Sequence, residues 1–217
     1  MKIRWFGHSC FGIYSSDKII VTDPSDKTVG YKIPEIKPDL VLESHQHFDH
    51  NAHHLLKGDF QIVKDAIIEG EVKGFKLEGY NSFHDDVEGK KRGKNIIFKI
   101  TTPEGFRIVH LGDLGALPSE NVINSIMNPD ILLIPAGGYY TIEPDIAAGF
   151  SKQLKPKIII PMHFKTDIIS NWSIKTVDDF LSYFEDHQEK DDLILETPGD
   201  LKDYDLDVIV LNYKTSG

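Results

Sequence analysis

His45-Gln46-His47-Phe48-Asp49-His50 follows almost directly on the apolar run Leu40-Val41-Leu42. Four of those six side chains can ligate a metal, and the run before them reads as a buried strand that delivers them to a strand end. In an extended segment alternate side chains share a face, so His45 and His47 point the same way. Asp49 and His50 come after the chain begins to turn and can address a second point nearby. Imidazole with carboxylate suits a borderline divalent ion such as zinc, manganese or iron. Two ligand pairs in one short loop predict two ions.

Working outward, short apolar strands recur, each ending in Gly, His or Asp. Lys18-Ile19-Ile20-Val21-Thr22-Asp23 is followed by Pro38-Asp39-Leu40-Val41-Leu42, and Arg107-Ile108-Val109-His110-Leu111-Gly112-Asp113 by Pro129-Asp130-Ile131-Leu132-Leu133-Ile134 at nearly the same interval. Pro156-Lys157-Ile158-Ile159-Ile160 repeats the second element once more and leads into Pro161-Met162-His163. Proline marks each entry, and the branched apolar run marks a buried strand. The echo predicts two similar αβ halves whose strand ends meet along one rim, where ligand sites commonly lie. Helices are expected over 51–56, 119–127, 142–154 and 176–189, with Ser119 and Thr176 as N-caps. Thr101-Thr102-Pro103-Glu104-Gly105 reads as a hairpin turn, so antiparallel strands join the sheets as well. The fold class is a layered α/β domain, and 1–217 reads as one domain because no linker-like or low-complexity tract interrupts it.

A dinuclear site needs more ligands than one loop supplies. Three candidates lie downstream at strand ends: His84 after Tyr80-Asn81-Ser82-Phe83, Asp113, and His163. Only a carboxylate places two oxygens to span two ions, which makes Asp113 the natural bridge. Asp23 either fixes the tautomer of a ligating imidazole or forms an Asp-Pro turn. His8 and His110 flank these motifs as orienting groups, and His110 reads equally as a satisfied core histidine. Gly137-Gly138 either admits a substrate to the backbone or keeps a tight turn. Arg92, in Lys90-Lys91-Arg92-Gly93-Lys94, either meets an anionic substrate or belongs to a solvated loop.

The composition sets outer limits. The chain has 217 residues, ample for a sizeable core, and 34 acidic against 24 basic side chains give a net charge of -10. A phosphate-tracking protein leans the other way, so nucleic acid is not expected as a partner, while a small, even anionic, molecule is. Cys10 is the only cysteine, which excludes an intrachain disulfide and fits a reducing interior. Residues 1–8 hold no signal-peptide stretch and no run reaches membrane-span length, so neither export nor a membrane is expected and the location is read as cytoplasmic.

With the His-x-His-x-Asp-His loop, a later His, Gly112-Asp113 and the final His in place, the chain resembles the metallo-β-lactamase superfamily. More narrowly, Gly7-His8-Ser9-Cys10-Phe11, Thr22-Asp23-Pro24, Pro135-Ala136-Gly137-Gly138-Tyr139 and Pro161-Met162-His163-Phe164 are similar to the small stand-alone hydrolases of the L-ascorbate-6-phosphate lactonase type. The resemblance implies a four-layer αββα sandwich with the site at the edge between two sheets. It implies that His45, His47 and His84 bind one ion and Asp49, His50 and His163 another, with Asp113 bridging and zinc the expected metal. Secreted lactamases of this superfamily commonly carry Cys where this chain has Asp113. Its di-iron oxygen-reducing members carry Glu where this chain has His47, and its tRNA-processing members add a basic arm. The expected activity is therefore metal-dependent hydrolysis of an ester, lactone or phosphodiester by a metal-activated hydroxide, with Asp49 and Asp113 as the catalytic carboxylates. A di-iron redox protein and a non-catalytic metal-binding module are the alternatives.

Overall fold

Two Pro-Asp pairs do the same work in two different sheets. The Asp39 carboxylate accepts the Ile19 N–H at 3.0 Å, while the Asp39 N–H donates to Ile19 O at 2.8 Å. The Asp130 carboxylate accepts the Arg107 N–H at 2.7 Å, and the Asp130 N–H donates to Arg107 O at 2.8 Å. In each pair the proline ends the incoming loop and the aspartate fastens the first rung of a parallel ladder. The repeat visible in the sequence is thus a repeated strand entry.

The structure, a computed structural model, describes residues 1–64 and 68–213. Its first half contains β1 (Lys2–Gly7), β2 (Cys10–Ser15), β3 (Lys18–Thr22), β4 (Leu40–Leu42), β5 (Gln61–Val63), β6 (Glu69–Val72), β7 (Phe75–Phe83) and β8 (Lys94–Thr101). The second half contains β9 (Arg107–His110), α1 (Glu120–Ile126), β10 (Ile131–Pro135), α2 (Pro144–Leu154), β11 (Ile158–Met162), α3 (Val177–Leu181), β12 (Gln188–Lys190), β13 (Asp192–Ile194) and β14 (Asp207–Leu211). The strands form a six-stranded sheet, β13-β1-β2-β3-β4-β5, and an eight-stranded sheet, β12-β14-β11-β10-β9-β8-β7-β6. The expected hairpin joins β8 to β9, antiparallel with Ile100 opposite Ile108.

Pleating sends Ile3, Ile13, Ile20, Leu40 and Leu42 of the first sheet against Phe98, Ile100, Ile108, Ile131, Leu133 and Ile158 of the second. Each such fully buried aliphatic side chain stabilises the fold by about 1.5–3 kcal/mol. The far face of the second sheet presents Val109, Leu132, Ile134 and Ile159 to Ile126, Phe150, Leu154 and Phe180 of the three helices. On the far face of the first sheet, Phe6, Cys10, Val21 and Val41 pack with Leu56 and with the partly buried Ile33, Ile36 and Phe60. That outer layer is built from loops and the 3₁₀ turns Lys27–Val29 and His53–Leu55. The αββα order holds, with one helical layer reduced to single turns.

Two helix expectations are corrected. Residues 51–56 form only the turn His53–Leu55, because His53 turns its Nδ1 onto the buried Glu43 carboxylate and Leu56 is already extended. The helix expected over 176–189 stops at Leu181. Beyond Phe184, which closes on Phe180 at 5.0 Å between rings, Glu185-Asp186-His187-Gln188-Glu189 offers nothing apolar to bury. The edge of β14 instead pairs with Gln188, Glu189 and Lys190 in parallel. Ser119 and Thr176 occupy the N-cap positions, but neither side chain makes a capping hydrogen bond.

Pairing directions place the chemistry. β1 and β3 are both antiparallel to β2, and β3 is parallel to β4, so the C-terminal ends of β1, β3 and β4 share one rim. In the second sheet β7, β9, β10 and β11 likewise run together. His8, Asp23, His45, His84, Asp113 and His163 all follow those ends.

Candidate metal centre

The backbone turns sharply at this rim. His8, Asp23 and His163 adopt left-handed φ of 52°, 39° and 51°, values that non-glycine residues rarely take. Such strain tends to be kept where function requires a side chain to be aimed. The His163 N–H donates to His8 O at 3.2 Å, tying two of these turns across the sheets.

Asp113 lies at the centre. Its Oδ2 is 3.1 Å from His163 Nε2, 3.2 Å from His50 Nε2, 3.3 Å from His84 Nε2 and 3.9 Å from His45 Nε2. Candidate ligand atoms fall into overlapping sets, each within 4.8 Å of one another: His45, His47 and His84; His8, Asp49, His50 and His163; and His45, His50 and Asp113. The structure thus brings together all seven side chains expected as ligands. It adds His8, whose Nε2 is 3.1 Å from Asp49 Oδ2.

Behind two of the candidate ligands, His45 and His50, the Nδ1 atoms are held. Asp23 accepts the His50 Nδ1–H at 3.0 Å, the Ser44 hydroxyl at 2.7 Å and the Ser44 N–H at 2.7 Å. With its proton given to Asp23, the Ser44 hydroxyl oxygen accepts His45 Nδ1–H at 3.0 Å. His110 is the satisfied core histidine of the two readings. Its Nδ1 accepts the Gly112 N–H at 3.1 Å and its Nε2 donates to Ser9 O at 3.2 Å.

Facing the centre, by contrast, His45 Nε2, His50 Nε2 and Asp113 Oδ1 are buried without a hydrogen-bond partner. Leaving three such atoms bare costs about 1–3 kcal/mol each, so the set calls for something to bind. The local charge agrees. Burial opposes ionisation of Asp113 and Asp49, but the surrounding imidazoles hold both carboxyls below their ordinary range. Burial and the neighbouring His50 push His45 well down, and burial lowers His84 to about 4. Burial also lowers His8 to about 4, so these rings present neutral lone pairs at pH 7. His50 is the exception: burial disfavours its charge, yet Asp113, Asp49 and Asp23 hold its pKa well above 6.5. That proton stands in for a cation. Ionised carboxylates among imidazoles, with the Nδ1 atoms of His45 and His50 tied back and the Nε2 atoms of His84 and His163 turned to Asp113, form a donor set that fits divalent metal.

Comparison with known proteins gives the same result. The description Beta-lactamase superfamily domain matches residues 2–163. The chain belongs to the metallo-β-lactamase superfamily. It is 32% identical over 191 residues to a UPF0173 metal-dependent hydrolase of Thermoplasma acidophilum, covering 76% of this chain and 84% of that protein. A crystal structure from Thermotoga maritima, described as a proposed Zn-dependent hydrolase of this superfamily, shares 40% identity with TM-score 0.79 over 97% of this chain and 99% of that one. The metallo hydrolase Igni18 of Ignicoccus hospitalis shares the fold at 21% identity, with TM-score 0.65 over 97% of this chain and 94% of that one. The chain is a metal-dependent hydrolase of this superfamily.

Above the ligands lies a cleft of about 590 Å³, walled by Phe48, Arg92, Tyr140, Asn171 and Trp172. Trp172 belongs to the loop over 164–172, and the segment 25–34 lies against that loop outside the cleft lining. Val29 and Tyr31 pack on Ile169 and Ile174, so that segment props up the Trp172 loop from behind. Gly137 serves the backbone: a Cβ there would lie 2.3 Å from His163 O. Gly137→Ala is therefore expected to push His163 away and cost about 1–3 kcal/mol, as overpacking does. The denaturant midpoint and the metal content of the variant check this together.

Proposed function

We propose that this domain hydrolyses a small-molecule ester or lactone, with phosphodiesters next, at a dinuclear zinc centre. The supporting observation is Asp113: one carboxylate among four imidazoles, with Oδ1 bare and Oδ2 shared. His45, His47 and His84 would hold one ion, Asp49, His50 and His163 the other, and Asp113 would span them. Bound there, divalent ions supply Lewis acidity and bring water close to ionisation at neutral pH.

Asp113 and Asp49 do the rest. Both are ionised and flank the reacting centre, so they orient water and can pass its proton to the leaving group. His8 holds Asp49 Oδ2 and fixes which oxygen is free for that task. The closer resemblance to lactone-opening enzymes favours a cyclic or carboxylic ester. The acidic chain supports a small-molecule substrate over nucleic acid. Among the described residues no helix is long and apolar enough to cross a membrane. The lone buried Cys10 is compatible with the reducing cytoplasm.

Elemental analysis of purified protein is expected to find two divalent ions per chain. Stripping with a chelator should abolish turnover across a panel of lactones, carboxylic esters, phosphodiesters and thioesters, and zinc should restore it. Full activity in stripped protein would end the proposal. Metal uptake without any hydrolysis would favour the sensing or redox alternatives.

A further inference from the structure

Immediately beyond His84 the chain makes a short loop that is unusually well fastened. The Asp85 carboxylate accepts four backbone N–H groups: Val87 at 2.9 Å, Gly89 at 2.7 Å, Lys91 at 2.8 Å and Arg92 at 2.7 Å. These bonds outweigh desolvation and hold the Asp85 carboxyl below its ordinary range. The His84 N–H donates to Gly93 O at 3.1 Å and closes the base of the loop. A loop anchored this way does not wander, and its last residue before closure is Arg92.

Arg92 is half-buried in the cleft wall, its guanidinium 5.4 Å from the centre of the Tyr140 ring. Lys91 next to it pairs with Asp86 at 3.3 Å, whereas Arg92 has no carboxylate partner among the described residues. Behind it runs an aromatic row: Tyr140 to Trp172 at 6.1 Å, and Trp172 to His8 at 5.3 Å, between ring centres. Phe48, 55% exposed, lines the same cleft. A guanidinium on an anchored loop, with no carboxylate partner among the described residues, at the end of an aromatic wall above the candidate metal centre, is a recognition element. Arginine offers a planar fork of donors that fits an oxyanion in bidentate fashion.

Resting on the hydrolase reading above, we propose that the substrate is an ester with a planar, apolar body and an anionic oxyacid group, carboxylate or phosphate. Arg92 clamps the anion, Tyr140, Trp172 and Phe48 cover the planar body, and the scissile carbonyl lies over Asp113. The acidic chain makes this selective: the guanidinium rewards an anion only in one place, at the end of the wall.

The test uses three probes with one body: 4-acetoxybenzoate, 4-acetoxyphenyl phosphate and the neutral methyl 4-acetoxybenzoate. The readout is the ratio of kcat/KM for each anion to that for the neutral ester. Wild type should prefer at least one anion by ten-fold or more, and the better one identifies the oxyacid. Arg92→Met should lower that preference by about 10–100-fold, chiefly through KM, the range for a hydrogen bond to a charged group. Arg92→Lys, which keeps the charge and loses the fork, should fall between. In parallel, calorimetry with the uncleavable 4-acetamidobenzoate and 4-acetamidobenzamide should show the same preference in binding and the same loss in Arg92→Met. An anion preference unchanged in Arg92→Met, or absent from wild type in both measurements, overturns the proposal. If no probe is cleaved, the ester-hydrolase reading is what fails, and calorimetry still decides the role of Arg92.

Discussion

Asp113→Asn should, at the proposed dinuclear centre, lower kcat/KM by at least about 10³-fold and take bound metal from two ions per chain toward one, the scale expected if Asp113 both bridges and handles a proton. The amide keeps the shape of the side chain, so the fold should survive and the effect should read as chemistry. Its cause is the crowd around Oδ2, where four imidazole nitrogens lie between 3.1 and 3.9 Å. An asparagine presents one oxygen and one NH₂, so it can satisfy one ion and must turn a donor toward the other. Elemental analysis separates the two parts of the prediction. Two ions with lost turnover would assign Asp113 to proton transfer alone, whereas two ions with full turnover would remove it from the mechanism altogether.

Four candidate ligands, His45, His84, Asp113 and His163, could be placed from the sequence because each follows an apolar run, and an apolar run in an α/β chain is a strand. Once β4, β7, β9 and β11 point the same way within their sheets, His45, His84, Asp113 and His163 have to share a rim. The strand-entry role of Asp39 and Asp130 was half legible, since the Pro-Asp repeat was plain but its carboxylate bonds were not. What stayed hidden depends on contacts between distant parts of the chain. Tyr31 bonds Thr166 at 2.5 Å across 135 residues, and nothing in either local sequence announces that 25–34 supports the cleft wall without lining it. Ser44, and the partner of His8, which was read from the sequence only as an orienting group, were hidden for another reason. The contacts of both residues are set by left-handed turns at His8 and Asp23, which local propensity does not forecast for those residues. The end of α3 was misread because polar residues permit a helix, and the open edge of β14 offered a better use for them.

Asp23→Asn is expected to weaken metal binding by about 10–100-fold although Asp23 is not among the ligands. The fully buried carboxylate accepts three hydrogen bonds, one from His50 Nδ1 and two from Ser44. Ser44 passes the constraint on by accepting His45 Nδ1–H, so a single aspartate orients two candidate ligands and leaves both Nε2 atoms facing the centre. The amide must turn its NH₂ toward either the Ser44 N–H or the His50 Nδ1–H and Ser44 hydroxyl. One donor then meets a donor in a buried place, which adds roughly 1–3 kcal/mol of lost stability. At about 2–4 °C per kcal/mol for a chain of this size, melting should fall by several degrees. Ser44→Ala offers the internal contrast: it frees His45 and leaves His50 tied, so one ion should weaken while the other stays. Chelator competition on the two variants measures this directly. Affinities within two-fold of wild type for both ions in Asp23→Asn would show that packing alone orients the histidines.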